Sequence, residues 1–308
     1  MGCVQAGGGG APTEPPARFS GEHAFAHLGQ LVALGPRVAG TEPATRARAY
    51  VRAELESLGL TVHEEAFQWT PSPELPERAF ANLWAEVPGA RPGLFAVATP
   101  LDTNPLAGPG ANEGGSGAAL LLELARALRE DPLPYPVRLL FLDAELLDAE
   151  TPFLGSEHAF LGFESARELD QLHAFVYVHQ VGDRDLEVRR DRSSDRTLRD
   201  LFFDVARREG LAAAFPRNAP FEAAKLGQDV FVAHRFPRVV ALADMRYGGP
   251  DAPGPLWRTQ GDDLTACAPS SLEAAGRVVL GGLRALAARQ INVDTAKGAA
   301  PEKEDGHP

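Results

Sequence analysis

The sequence predicts a single α/β domain over residues 19–290, with a three-layer αβα architecture and a central, mostly parallel mixed sheet. Segments with strand character alternate with segments of helical periodicity, which is typical of a sheet covered by helices on both faces. The segments 136–144 and 173–181 are almost continuously apolar, as expected for strands buried on both sides. The last periodic segment is long and amphipathic, and it predicts a helix that closes the domain.

Two helices are expected to open this domain. Ser20 is a favourable N-cap residue and predicts a helix that runs to about Leu34. Thr41, with a proline in the first turn, predicts a second helix that stops at Gly59. The alternating segment 60–69 then predicts a strand at an edge of the sheet or half-exposed in it.

The middle of the chain supplies the centre of the sheet. The segments 79–87 and 93–99 predict a hairpin that leads into it. From Ser116 the sequence has few polar positions, so we expect a helix buried on most sides. The remaining elements are strands at 136–144, 173–181 and 236–244 and helices at 198–210 and 271–290. In such folds the functional residues collect in loops at the carboxyl ends of the strands.

Composition argues against two classes of protein. The formal net charge of −12 leaves no basic face for a nucleic acid. No apolar run reaches the ~18 residues of a membrane-spanning helix, so none is predicted. Cys3 and Cys267 are far apart in sequence and do not form a metal-type pair.

Both ends of the chain are predicted to be disordered. Residues 1–18 form a Gly/Pro-rich tether, and residues 291–308 form a charged tail without apolar periodicity. Cys3 before such a tether resembles the lipid-bearing cysteine of a bacterial lipoprotein, although no apolar signal segment precedes it. A lipid there would attach the protein to a membrane of the cell envelope, or the protein is secreted. A free cysteine and a cytoplasmic location are the alternative.

Several separated segments carry the residues with chemical potential. They are 102–117 (DTNPLAGPGANEGGSG), 139–158 (LLFLDAELLDAETPFLGSEH), 176–186 (VYVHQVGDRDL) and 255–280 (PLWRTQGDDLTACAPSSLEAAGRVVL). Together they resemble the zinc aminopeptidase and glutaminyl cyclase family, metallopeptidase family twenty-eight, and the GSEH segment is closer to the cyclase branch. The resemblance covers about Phe19 to Gln290. It implies a zinc-exopeptidase-like fold and action on peptide N-termini.

The resemblance also identifies five positions at which family members bind zinc, as His, Asp, Glu, Asp and His. This chain has Pro100, Glu113, Leu146, His179 and Arg258 at those positions. Proline and leucine have no ligand atom, and arginine brings a fixed positive charge. The family's set is strongly anionic, whereas this set carries one negative and one positive charge. A dication needs anionic ligands to offset its desolvation, so the resemblance predicts that no metal is bound here.

Other family positions are kept. Glu145 stands at the family's acid/base position and Asp102 at the partner of its first histidine, and we expect both to be vestigial and to serve loop hydrogen bonding. Trp257 and Asp262 match the family's closing motif and are expected at the pocket. We further expect Arg258 to form a bidentate ion pair with Glu113 or Glu145, or both, in place of a metal.

These observations predict a family member that has lost zinc binding and ordinary catalysis. Without a cofactor, it would bind peptide N-termini or another small ligand. The alternative is an active metal-dependent hydrolase or glutaminyl-peptide cyclotransferase with a rebuilt mononuclear zinc site. That site would use Glu113 and His179, with Asp102 or His234 as a third ligand. A doubly wound nucleotide binder is a third hypothesis, but the Gly-rich segment lacks the phosphate-binding patterns.

Overall fold

A six-stranded mixed sheet forms the centre of the protein. The computed structural model describes residues 18–70, 76–147, 153–222 and 225–298. The strands are β1 (Val62–Trp69), β2 (Arg78–Val87), β3 (Leu94–Pro100), β4 (Val137–Leu142), β5 (Leu172–His179) and β6 (Val239–Ala243). Their order is β1-β2-β4-β3-β5-β6. The pairs β1–β2 and β2–β4 are antiparallel and the other three are parallel, so the predicted mixed, mostly parallel sheet is confirmed.

Helices cover both faces of this sheet. They are α1 (Gly21–Ala33), α2 (Glu42–Ser57), α3 (Gly117–Glu130), α4 (Leu154–Ser165), α5 (Arg196–Arg208), α6 (Gln228–Ala233) and α7 (Pro269–Gly298). The larger hydrophobic core joins one face of the sheet to α1, α2, α3, α5 and α7. A second core joins the opposite face to α4 and α6. The predicted three-layer arrangement is therefore confirmed.

The first two helices begin where their capping residues predict. The Ser20 hydroxyl accepts a hydrogen bond from the His23 N–H at 3.2 Å, which satisfies one free donor of the first turn of α1. Thr41 is the N-cap residue of α2, and Pro43 occupies the first turn. The strand expected at the edge of the sheet is β1, which pairs with β2 alone.

The expected hairpin of residues 79–87 and 93–99 is wrong. β2 and β3 are consecutive in sequence, but β4 lies between them and pairs with both. β2 finds its antiparallel partner in β1, with Val62 opposite Ala85. All seven residues of β3 are buried, which places it at the centre as expected. Apolar content specifies that a strand is central, but it does not specify its neighbours.

The tail that we expect from residue 291 does not begin there. α7 continues to Gly298, so residues 291–298 are helical. Ile291 packs against the larger core, and the Tyr135 hydroxyl donates to Asp294 Oδ2 at 2.5 Å. These contacts with the body of the domain explain why a segment of weak periodicity stays helical.

Two expectations concern the ends of the chain and the membrane. Cys3 and the remainder of both expected disordered segments, residues 1–17 and 299–308, lie outside the described residues. Cys267 is a buried free thiol. Across the described ranges, no helix combines the length and apolar character needed to cross a membrane.

Candidate functional site

A cavity of about 200 Å³ lies beside the carboxyl ends of the parallel strands. The described residues that line it are Glu113, Glu145, Leu146, Phe153, His179, Lys225, Leu226, Met245, Trp257 and Arg258. The fold thus brings together four of the five expected metal positions. The cavity also includes Glu145, which we expect at the family's acid/base position, and the expected pocket residue Trp257. Pro100, Asp102 and Asp262 do not line the cavity.

Glu113 is held in a tight loop between β3 and α3. Gly114 has a φ of 74°, and a Cβ atom there would lie 2.0 Å from the Asp102 carbonyl oxygen, so the loop requires glycine at this point. The Glu113 side chain is buried, and its Oε2 accepts a hydrogen bond from the Asn104 N–H at 3.2 Å. Burial raises the pKa of Glu113 to about 7, against the opposing effects of Arg258 and the Asn104 N–H.

Arg258 forms an ion pair with Glu113, as expected from the sequence. Its Nε lies 3.4 Å from Glu113 Oε1, and its guanidinium carbon lies 4.3 Å from the centre of the Trp257 ring. The expected bidentate geometry is wrong, because a single nitrogen faces the carboxylate and the ring stacks on the guanidinium. Within the described ranges, Arg258 also forms no ion pair with Glu145. The Glu145 carboxylate is taken by other donors instead.

Asp262 lies beneath the cavity, which corrects the expectation that it lines the pocket. Its side chain is fully buried and accepts hydrogen bonds from the Asn112 N–H at 2.6 Å and the Glu113 N–H at 3.1 Å. The Tyr247 hydroxyl donates a third bond at 2.8 Å. Burial raises the pKa of Asp262 to about 6. Asp262 therefore fixes the backbone that carries Glu113.

Asp102 has a similar supporting role on the other side of the cavity. Its two carboxylate oxygens accept hydrogen bonds from the Glu145 N–H at 3.0 Å and the Leu146 N–H at 2.9 Å. Burial raises the pKa of Asp102 well above its usual range. The loop after β4 is thus held against the loop after β3, in agreement with the loop hydrogen bonding expected of Asp102. Leu146, held by these bonds, adds an apolar side chain to the cavity wall.

The Glu145 carboxylate accepts three hydrogen bonds. Its Oε1 accepts from the Ser156 N–H at 2.6 Å, and its Oε2 accepts from the Ser156 and Tyr177 hydroxyls at 2.9 and 2.8 Å. Burial raises the pKa of Glu145 to about 7, although these three donors favour the charged form. Because a carboxylate offers about four acceptor positions, one remains for a group in the cavity.

His179 ends β5 and lines the same cavity. The imidazole is buried, and no hydrogen-bond partner lies near Nδ1 in the described structure. Burial and the positive charge of Arg258 lower the pKa of His179 to about 3, so the ring is neutral at pH 7. Pro100 is the last residue of β3 and is buried in the sheet, opposite Leu142.

The side chains present do not fit a zinc site with the usual three or four protein ligands. Glu113 and His179 line the cavity, but neither proposed third ligand joins them there. Asp102 is bonded to backbone N–H groups, and His234 pairs with Glu157 at 2.9 Å and stacks on Phe160. In the part of the chain that the structure describes, no three His, Cys, Asp or Glu side chains are grouped to hold a metal ion.

Backbone strain is concentrated around the cavity. Of the six non-glycine residues with positive φ in the described ranges, four line the cavity or adjoin a residue that does: Ala144, Phe153, Gln180 and Arg258. Such conformations cost about 1 kcal/mol or more and persist only where the surrounding structure imposes them. The surrounding structure therefore holds these residues in one specific geometry, although the side chains of the site differ from those of a metal centre.

Three residues that position this site were not predicted from the sequence. Tyr177 lies two residues before His179 on β5, so strand alternation places both on one face and would have identified it. Ser156 belongs to α4, a helix that the sequence analysis did not predict. Arg37 is fully buried and donates to the carbonyl oxygens of Leu101 and Gly110, at 3.2 and 2.6 Å. No local pattern marks Arg37, because its partners lie far away in the sequence.

Comparison with known proteins gives matches to one family and one fold. The sequence model of Peptidase family M28 matches residues 82–282. None of the curated proteins matches the chain.

Solved structures with the same fold include cyclases and a peptidase. A glutaminyl cyclase from an Acidobacteriales bacterium is 28% identical, with a TM-score of 0.82, over 92% of this chain and 100% of that chain. The Porphyromonas gingivalis glutaminyl cyclase is 22% identical (TM-score 0.77; 88% and 99% covered). A Zn-dependent exopeptidase from Parabacteroides distasonis is 20% identical (TM-score 0.76; 85% and 97% covered).

Proposed function

The chain belongs to peptidase family M28, and on that premise we propose that it binds a small ligand or a peptide N-terminus in its cavity without zinc. The observation that carries the proposal is the ion pair between Arg258 and Glu113. By the sequence resemblance, Arg258 takes the position of a zinc-binding histidine of the family, and its ion pair with Glu113 supports this part of the proposal. A cation fixed to the chain already neutralises the carboxylate, so Glu113 has little excess charge with which to attract a dication.

The lining suits a ligand that combines an ammonium group with an apolar side chain. Glu145 lines the cavity and accepts three of the about four hydrogen bonds that a carboxylate can accept, and we infer that an N-terminal ammonium provides the fourth. Leu146, Phe153 and Trp257 provide apolar contacts beside it. Lys225 supplies a positive charge that suits a carboxylate or carbonyl oxygen of the same ligand. Binding of this kind uses the family's pocket but needs no Lewis acid.

Metal content distinguishes this proposal from an active zinc enzyme. The purified protein is incubated with excess zinc, desalted and measured by elemental mass spectrometry, beside the double variant Arg258→His/Leu146→Glu. We expect no retained zinc in the unaltered protein and about one zinc per chain in the variant, because the variant restores a carboxylate–carboxylate–histidine set with Glu113.

Two results would contradict the proposal. About one zinc per chain in the unaltered protein would support the alternative, a rebuilt mononuclear site that includes Glu113 and His179, and would direct the work to cyclase and aminopeptidase assays. A folded double variant without zinc would mean that the family positions are wrongly assigned to residues 146 and 258.

Ligand binding is tested separately by calorimetry. The probe is a tripeptide with a free N-terminal leucine, and the matched control is the same peptide with an acetylated N-terminus. We expect saturable binding of the free peptide and at least tenfold weaker binding of the acetylated one, since the latter cannot form a charge-assisted bond with Glu145. Equal affinities would exclude recognition of the N-terminus.

A further inference from the structure

Three arginines surround one phenyl ring outside the cavity. The guanidinium carbons of Arg190, Arg192 and Arg199 lie 4.4, 5.9 and 4.8 Å from the centre of the Phe221 ring. We call these four residues the arginine cluster. Contact with an aromatic face stabilises a cation, but it does not remove the repulsion between neighbouring cations.

The arginine cluster lacks matching carboxylates. Among the described residues, none of its three guanidiniums forms an ion pair. The adjacent Asp191 accepts hydrogen bonds from Ser193 Oγ at 2.9 Å and from Ser194 N and Oγ at 2.7 and 2.8 Å. The neighbouring Glu222 pairs with Arg246, at 3.4 Å. Even if Asp191 is counted, the cluster keeps an excess of positive charge in a protein whose net charge is −12.

Two donor atoms of the cluster also have no hydrogen-bond partner in the described structure. Arg199 is 9% exposed, yet its Nε has no hydrogen-bond partner within the described structure, and the same holds for the buried Nε of Arg190. Arg199 Nη1 donates to the Asp191 carbonyl at 2.9 Å, and Arg190 Nη2 approaches the Ala219 carbonyl at 3.5 Å. Buried charged donors without partners are costly, so the geometry favours a ligand that accepts from them.

We propose that Arg190, Arg192 and Arg199 form a binding site for a phosphate-type or sulfate-type oxyanion beside Phe221. Planar guanidinium groups match the oxygen atoms of such anions in paired hydrogen bonds, and a multiply charged anion would neutralise the cluster. The Phe221 ring is 37% exposed, so it can contact the organic part if the anion is an ester. The site is independent of the ligand proposed for the cavity.

One member of the arginine cluster, Phe221, lies close in sequence to residues that line that cavity. The Glu222 N–H donates to the Arg190 carbonyl at 2.8 Å, and Lys225 and Leu226, shortly after it, line the cavity.

Calorimetric titration with sodium phosphate and sodium sulfate, against sodium chloride at equal ionic strength, tests the proposal. We expect saturable binding of phosphate or sulfate and none of chloride. The variant Arg190→Gln/Arg192→Gln should weaken binding by about tenfold or more. Arg192 is exposed, so Arg192→Gln alone also tests the site if the double variant fails to fold.

The matched control is Arg196→Gln, which removes the same charge from a side chain that is 87% exposed at the start of α5. It should leave the affinity unchanged. Phenyl phosphate separates the two sources of the anion: tighter binding than inorganic phosphate indicates an ester ligand that contacts Phe221, and equal binding indicates the free anion. Absence of saturable binding, or equal weakening in Arg196→Gln, would overturn the proposal.

Discussion

At Glu113 the fold buries a carboxyl group and places one guanidinium beside it. Removing a carboxylate from water is expensive, and the pKa of about 7 shows that the single contact from Arg258 offsets this only in part. The ion pair therefore fills the site but adds little to the stability of the fold. Loss of either partner would leave an uncompensated buried charge or a cavity.

The raised pKa of Glu113 predicts how stability depends on pH. The folded protein binds the proton of the Glu113 carboxyl group more tightly than the unfolded chain does. The resulting stabilisation of the fold is fully present below pH 4.5 and is lost as pH rises through about 7. The free energy of unfolding should therefore fall between these two pH values, and in Glu113→Gln this fall should be smaller by about 2–3 kcal/mol. Urea unfolding across the pH range measures the difference. The exposed substitution Glu22→Gln is the control, and an unchanged pH profile in Glu113→Gln would contradict the assignment.

At the scale of elements, Glu145 joins parts of the chain that are distant in sequence. It follows β4, accepts from Ser156 in the first turn of α4 and from Tyr177 of β5, and lies against α6. A Cβ atom on Gly227, just before α6, would lie 2.5 Å from Glu145 Oε2, so glycine is required for this approach. Glu145, which we expect at the family's acid/base position, thus has a structural role.

Removing the Glu145 carboxylate should therefore destabilise the domain. Glu145→Ala removes the acceptor of the Ser156 N–H and of the Tyr177 O–H, and we expect a loss of about 2–4 kcal/mol in urea unfolding. Glu145→Gln should cost less, because the two hydroxyl groups can rotate to accept from the amide. Glu157 is a partly exposed residue of α4 that pairs with His234. Glu157→Ala should cost less than about 1 kcal/mol. Equal losses for Glu145→Ala and Glu157→Ala would refute this structural role.

The last turns of α7 are held by contacts with the body of the domain, among them the hydrogen bond between Tyr135 and Asp294. Tyr135→Phe removes the hydrogen bond to Asp294, so the amides of residues 291–298 should exchange faster with solvent, while those of residues 272–283 stay protected. Hydrogen exchange measured by mass spectrometry resolves the two segments. Uniform exchange along α7 in the variant would mean that the contact does not hold the helix end.

For the whole molecule, the central consequence is that folding should not be linked to zinc. A ligand that binds only the native state raises Tm with its concentration. We expect neither excess zinc nor a chelator to change Tm of the unaltered protein, whereas Arg258→His/Leu146→Glu should gain several degrees with zinc and lose them with the chelator. A zinc-dependent Tm in the unaltered protein would contradict a metal-free site.

How far the sequence predicts this molecule depends on how local each interaction is. The cap at Ser20, the proline in the first turn of α2 and the apolar run of α3 act within one or two turns, so the chain itself specifies those elements. α4 was missed because its segment mixes glycine and aromatic residues without a clear period, and its position depends on contacts made elsewhere, such as the bond to Glu145.

The sequence by itself determined the fold class and the family, because these are properties of residue type and order. The replacement of the metal-binding side chains stays a prediction. Only the tertiary structure decided that β4 separates β2 from β3, that Asp262 lies under the cavity, and that Arg258 reaches Glu113 through one nitrogen. The same holds for the convergence of three arginines on Phe221. Each depends on groups far apart in sequence, whose distances are fixed by packing of the whole domain rather than by any local pattern.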